Sequence, residues 1–193
     1  LSNGNYVVAS PNWDKPGLTN VGDVTLCNGV TGRVGFVSAS NSLTGNTFND
    51  QVGFGAPGLT ALSNGDFIVA SQLWNNPSPL IPFVGAVTLC SGATGRPGQI
   101  VSAANSVVGS STNDFLCRVR ALANGNYVVS SRDWDNPSPY RRDVGVAALC
   151  SGLTGRTGTL SAANALVGSA VDDKLSDGGV LGLELRAQRR EVR

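Results

Sequence analysis

Short apolar runs alternate with polar turns along the chain, and the alternation itself recurs. LSNGNYVVAS, from Leu1, returns as LSNGDFIVAS from Leu62 and as LANGNYVVSS from Leu122. Within one period the pattern predicts four short strands. The first is 58–62, and Asn64-Gly65 then carries the residue types of a type I′ hairpin turn. The second, Asp66 to Ala70, is apolar at consecutive positions and β-branched, which suits a strand covered on both faces. A polar loop follows from Trp74 to Pro79, where prolines exclude central-strand pairing. The third strand is Val84 to Cys90. The fourth is Gln99 to Ala104, followed by a Ser/Thr/Asn-rich stretch to Asp114. No 3.6-residue stripe persists, and Gly, Ser, Thr, Val and Asn dominate, so the chain is expected to be all-β.

The period is about 60 residues. Trp13, Trp74 and Trp134 lie 61 and 60 apart, and Cys27, Cys90 and Cys150 lie 63 and 60 apart. Each cysteine precedes an Asn/Ser-Gly-x-Thr-Gly-Arg motif ending at Arg33, Arg96 or Arg156. The units expected are 1–57, lacking its first strand, 58–117 and 118–178. A fourth begins at 179–183, and an atypical basic tail occupies 184–193. Glutamate is absent before Glu184, and four of the 14 basic residues lie in that tail. The abrupt change reads as a truncated or out-of-frame gene end, or a gene fragment. A genuine basic C-terminal helix is the alternative. Four-stranded units repeated at this period describe the blades of a β-propeller. A β-trefoil or β-prism, which closes with three units, is the rival architecture, and a solenoid is the third alternative.

Val7-Val8-Ala9-Ser10-Pro11 is similar to the blade strand ending in Gly-Ala-Pro of FG-GAP-like, integrin-type propeller repeats. Val84-Gly85-Ala86-Val87-Thr88-Leu89 resembles a second strand of the same blades. The resemblance covers about residues 1–183 and is closer to tandem repeats of large bacterial surface or secreted proteins. It implies a propeller-type fold and an extracellular or cell-surface location. The Asp-rich calcium turn of those blades is replaced here by Ser2-Asn3-Gly4-Asn5.

Composition narrows the chemistry. The 193 residues include 14 Lys+Arg, 13 Asp+Glu and no histidine. Near-neutral charge argues against a nucleic-acid partner, and no apolar run reaches the ~18–20 residues of a spanning helix. Without histidine, the usual general base is missing, and no Gly-x-Ser-x-Gly motif or close glutamate pair replaces it. No catalytic residue is therefore assigned, and the chain is expected not to be an enzyme. Gly53-Phe54-Gly55-Ala56-Pro57-Gly58 matches a dinucleotide motif only formally, since a strand and hairpin follow it rather than a helix.

The candidate ligand-binding residues are the pairs Trp13-Asp14, Trp74-Asn75 and Trp134-Asp135, an aromatic face beside an oxygen donor, as sugar sites use. A tryptophan recurring in every unit equally suits a wedge between units. Asp133, Asp135 and Asp143 offer hard oxygens to Ca²⁺, although turn chemistry explains them as well. No other cofactor is implied. The equivalent cysteines read as small buried residues at strand ends. The expectation is a non-enzymatic repeat module of an extracellular bacterial protein, serving as a structural or adhesive scaffold. Its partner would be a protein or glycan surface, and it would act as a homo-oligomer or part of a longer array. A carbohydrate-binding lectin is the alternative, and a hydrolase a remote one.

Overall fold

The computed structural model describes residues 1–181, and these contain β-strands and no helix. Unit 1 comprises β1 (Tyr6–Ser10), β2 (Asp23–Cys27) and β3 (Leu43–Thr44). Unit 2 comprises β4 (Leu59–Ala61), β5 (Phe67–Ser71), the small hairpin β6 (Asn76–Pro77) and β7 (Leu80–Ile81), β8 (Ala86–Cys90) and β9 (Val107–Val108). Unit 3 repeats this as β10 (Arg118–Ala121), β11 (Tyr127–Ser131), β12 (Asn136–Pro137), β13 (Tyr140–Arg141), β14 (Val146–Cys150), β15 (Gly158–Thr159) and β16 (Leu166–Val167). The main sheets are antiparallel in the orders β1-β2-β3, β4-β5-β8-β9 and β10-β11-β14-β16. Register is conserved between units: Tyr6, Phe67 and Tyr127 oppose Cys27, Cys90 and Cys150.

Two local expectations are corrected. The Asn64-Gly65 turn is not type I′, because only Gly65 has a positive φ, +93°. Gly65 N–H donates to Leu62 O, and Leu62 N–H to Asp66 O, which makes a three-residue loop with a glycine bulge. The fourth strand is 107–108 rather than 99–104. The 99–104 segment instead carries an asparagine-capped turn: Asn105 accepts from Ser102 N–H and donates to Ile100 O, as Asn41 and Asn164 do in their units.

The cores lie between units rather than inside them. Alternation along each strand sends successive side chains to opposite faces. In β5, Phe67 and Val69 join Val24, Leu43 and Val52 of unit 1, whereas Ile68 and Ala70 join Tyr127, Val129 and Val144 of unit 3. In β8, Ala86 and Cys90 face the first group, and Val87 and Leu89 the second. The middle sheet is thus covered on both sides, and every residue of β5 and β8 is buried. That arrangement is what the unbroken apolar runs require.

Among the described residues the three sheets form an open stack and do not close into a propeller, a trefoil or a prism. One core joins units 1 and 2, and another joins units 2 and 3; neither draws on both units 1 and 3. The outer faces remain bare: Tyr6 and Val8 are 45% and 44% exposed, where Phe67, Val69, Tyr127 and Val129 are buried. Neighbouring units also share backbone bonds that blades of a ring lack. β15 of unit 3 pairs in parallel with β9 of unit 2, and Ile100 pairs in parallel with Thr44 of unit 1. The opening of a fourth unit is described only as far as Leu181, and the expected tail from Glu184 to Arg193 lies outside the described residues.

Unit 1 departs from its copies at Asp23, where the others have Ala86 and Val146. Asp23 is fully buried; Thr25 donates a hydrogen bond to its Oδ2, and its Oδ1 has no partner among the described residues. Burial pushes its carboxyl up, and the hydrogen bond donated by Thr25 opposes this. A folded-state pKa above the unfolded one favours the protonated folded chain. This contribution is complete below the ordinary carboxylate pKa of about 3.9 and is lost as pH rises through the folded value. Asp23→Asn is therefore expected to melt above the wild type at pH 8 and to lose that advantage near pH 4. Paired thermal melts across this range check it; an equal offset at both pH values contradicts it.

Candidate functional site

The Trp–Asx loops leave the second strand of each unit and return as the third. Gly22, Gly85 and Gly145 close them by donating to the carbonyls of Trp13, Trp74 and Trp134 at 3.0, 3.1 and 3.0 Å. Gly85 has φ +74°, and a Cβ there would lie 2.3 Å from Leu116 N, so the loop can return only through glycine. Trp74 and Trp134 are completely buried, each in the core shared with the preceding unit. Their Nε1 atoms have no acceptor among the described residues, a cost of roughly 1–3 kcal/mol each that burial of the indole offsets. Trp13 is covered by no other unit among the described residues and is half-buried, beside an exposed Asp14.

The Asx residues close their own loops and fasten them to the unit before. Asn75 Oδ1 accepts from Phe83 N–H at 3.0 Å, and Asp135 Oδ1 from Asp143 N–H at 2.7 Å. In unit 1, Asp14 Oδ1 accepts from Asn20 N–H at 2.7 Å. Tyr140 Oη donates to the other Asp135 oxygen at 3.1 Å. The backbone N–H of Asn75 donates to Asp50 Oδ1 of unit 1 at 3.0 Å, and that of Asp135 to Asp114 Oδ1 of unit 2 at 2.9 Å.

Asp50 and Asp114 were not singled out by sequence, although Asn49-Asp50, Asn113-Asp114 and Asp172-Asp173 recur at the unit period. The second oxygen of each gathers two backbone N–H groups of its own loop: Asn46 and Thr47, Ser110 and Ser111, or Ser169 and Ala170. Burial pushes the Asp114 carboxyl up to about 7, opposed by its hydrogen bonds from Asp135, Ser110 and Ser111. A second fastener lies at the Asn-Gly turns. Asn3 and Asn64 Nδ2 donate to the carbonyls of Gly92 and Gly152 in the following unit, at 2.7 and 2.9 Å.

Asp133, Asp135 and Asp143 do not converge. Asp133 lies beside Arg132 Nε at 3.4 Å, and Asp143 lies 3.7 Å from Arg142 Nε and 3.8 Å from Lys174 Nζ. Among the described residues no group of three or more His, Cys, Asp or Glu side chains could hold a metal ion. All four cysteines are free and buried, and burial pushes the Cys90 thiol up to about 12. Arg33, Arg96 and Arg156 each donate to the carbonyl seven residues earlier, on Leu26, Leu89 and Leu149.

Three stretches of the chain, 1–54, 61–118 and 121–177, match a family described as a repeat of unknown function (DUF5650). The chain belongs to this family. Each matched stretch of DUF5650 opens on an Asn-Gly hairpin turn and contains one Trp–Asx loop and one loop-holding aspartate, Asp50, Asp114 or Asp173. The family repeat therefore holds both the unit and the groups that join it to its neighbours. No curated protein matches the chain.

Replacing Trp74 or Trp134 by Ala is expected to cost about 3–5 kcal/mol, as for large buried aromatics, and Trp13→Ala markedly less. Urea denaturation of the three variants checks the order, and equal losses at all three would contradict the wedge role. Asp114→Ala strands the N–H groups of Ser110, Ser111 and Asp135 and is expected to cost about 2–4 kcal/mol. Its hydrogen-exchange signature is faster exchange at Asp135 than at residues of β14; uniform loss of protection would contradict it.

Proposed function

We propose that the chain is a non-enzymatic scaffold segment of a secreted or cell-surface protein, in which stacked units present loops along a rigid spine. The observation that carries this reading is the use of the recurring polar and aromatic groups. Trp74, Trp134, Asp50, Asp114, Asn3 and Asn64 all act across a boundary between units. The units differ at the equivalent tips of β6–β7 and β12–β13, where Leu80 and Tyr140 are both exposed. Differing side chains on equivalent rigid hairpins are a favourable arrangement for display to a protein or glycan surface. The secreted or surface location rests on the resemblance to bacterial surface repeats and on the Ser/Thr/Asn/Gly-rich, weakly charged composition.

A lectin reading retains one support, the half-buried Trp13 beside exposed Asp14. A glycan array separates the two. The scaffold reading expects no glycan signal that depends on Trp13. A signal lost in Trp13→Ala at unchanged melting temperature moves the assignment to a lectin. For location, the test is mild proteolysis of intact source cells with an antibody to the chain. Loss of the epitope before lysis supports the reading, and survival until lysis overturns it.

A further inference from the structure

The seam between units is built twice within the chain, and the outer faces of units 1 and 3 are its unmatched halves. Unit 3 presents the forward half. Leu149 and Leu166 are 59% and 67% exposed, whereas their counterparts Leu26, Leu43, Leu89 and Val107 are covered by the next unit. Asp173 holds Ser169 and Ala170 N–H through Oδ2, as Asp50 and Asp114 hold their loops. Its Oδ1, the atom that receives the next unit's Asx N–H in both existing seams, has no donor among the described residues. The Asn124 carboxamide holds its own turn through Oδ1, and no acceptor takes its Nδ2 among the described residues.

Unit 1 presents the backward half. Tyr6 and Val8 are uncovered and Trp13 is half-buried, whereas their counterparts Phe67, Val69 and Trp74 are buried. Gly32 has nothing within 4 Å of its Cβ position, whereas the same position meets Leu26 Cβ at 3.0 Å on Gly95 and Leu89 Cβ at 3.2 Å on Gly155.

We propose that a second copy of this chain docks head to tail, placing the unit 1 face of one molecule on the unit 3 face of another. The pairings follow from the two existing seams. Leu149 sits on Gly32 of the second copy, as Leu26 and Leu89 sit on Gly95 and Gly155. Asp14 N–H donates to Asp173 Oδ1, and Asn124 Nδ2 to Gly29 O. β16 continues in parallel beside Gly35 and Phe36, as β9 does beside β15. This covers the bare aromatic and aliphatic side chains at both faces at once. Because the two halves differ, the contact is heterologous and leaves a free half at each end, so it extends rather than closing at a dimer. The inference rests on the stacked architecture of the scaffold reading, but glycan binding and cell location play no part in its test.

The experiment is analytical ultracentrifugation of the full chain over a wide concentration range, with Leu166→Arg on one face and Val8→Arg on the other. Melting temperatures confirm that both variants are folded, as expected for exposed positions. The wild type should give a concentration-dependent series extending beyond the dimer. Each variant alone should sediment as a monomer. An equimolar mixture of the two, holding one intact pair of halves, should give a terminated dimer. A wild type that stays monomeric at every concentration, a dimer that never extends, or a mixture that remains monomeric overturns the proposal. A second measurement avoids charged variants. In the Gly32→Cys, Leu149→Cys double variant, oxidation should produce a ladder of covalent oligomers, and neither single variant should do so. Absence of that ladder in a folded double variant also overturns it.

Discussion

A sheet whose second strand is apolar on both faces has no side it can turn to water. β5 and β8 are such strands, and the whole arrangement follows from covering them. One unit of about 60 residues cannot bury both of its faces, so its stability belongs to its contacts with neighbours. Tyr127 and Phe67 illustrate this: each is buried not by its own unit but by the one before it. Tyr6, at the same register but covered by no other unit among the described residues, remains nearly half exposed.

Apolar stacking alone would let sheets slide or rotate, since it has little directionality. The polar fasteners remove that freedom. Asp50 and Asp114 each join two backbone donors of their own loop to one from the following unit, fixing where the Trp–Asx loop enters the seam. Asn3 and Asn64 do the same at the turn edge. A carboxylate whose donors come from two units is satisfied in only one relative placement. Burial with all its partners present is tolerable, whereas burial with one missing is costly.

Strand identity and repetition were legible in the sequence because both are local: alternation, β-branching and the spacing of Trp and Cys are properties of short windows. The consecutive apolar residues of 66–70 even indicated two-sided cover. Closure was not legible. Whether identical units form a ring or an open stack depends on the small rotation between neighbours, and that rotation is set by pairings such as β15 with β9, which join residues 51 positions apart. The fourth strand was misplaced for a related reason. Gln99 to Ala104 has strand composition, but Asn105 folds it into a capped turn through side-chain bonds that propensity does not register. At the candidate site, the tryptophans drew attention by their chemistry, and the aspartates that fasten the seams escaped it. Asn-Asp in a Ser/Thr-rich stretch has the composition of an ordinary turn, and only its recurrence at the unit period marks it.

Because each core is shared by adjacent units and by no others, the number of units is not fixed by the packing. An interior unit meets the same surroundings whether the array has three members or many. Duplication or loss of a 60-residue segment in the gene would join one forward half to one backward half of the same kind of seam. Length is thus left open by the packing of such a chain, which can grow or shrink by whole units. The spacing between the two ends would then change in whole-unit steps, while interior seams kept the same fasteners.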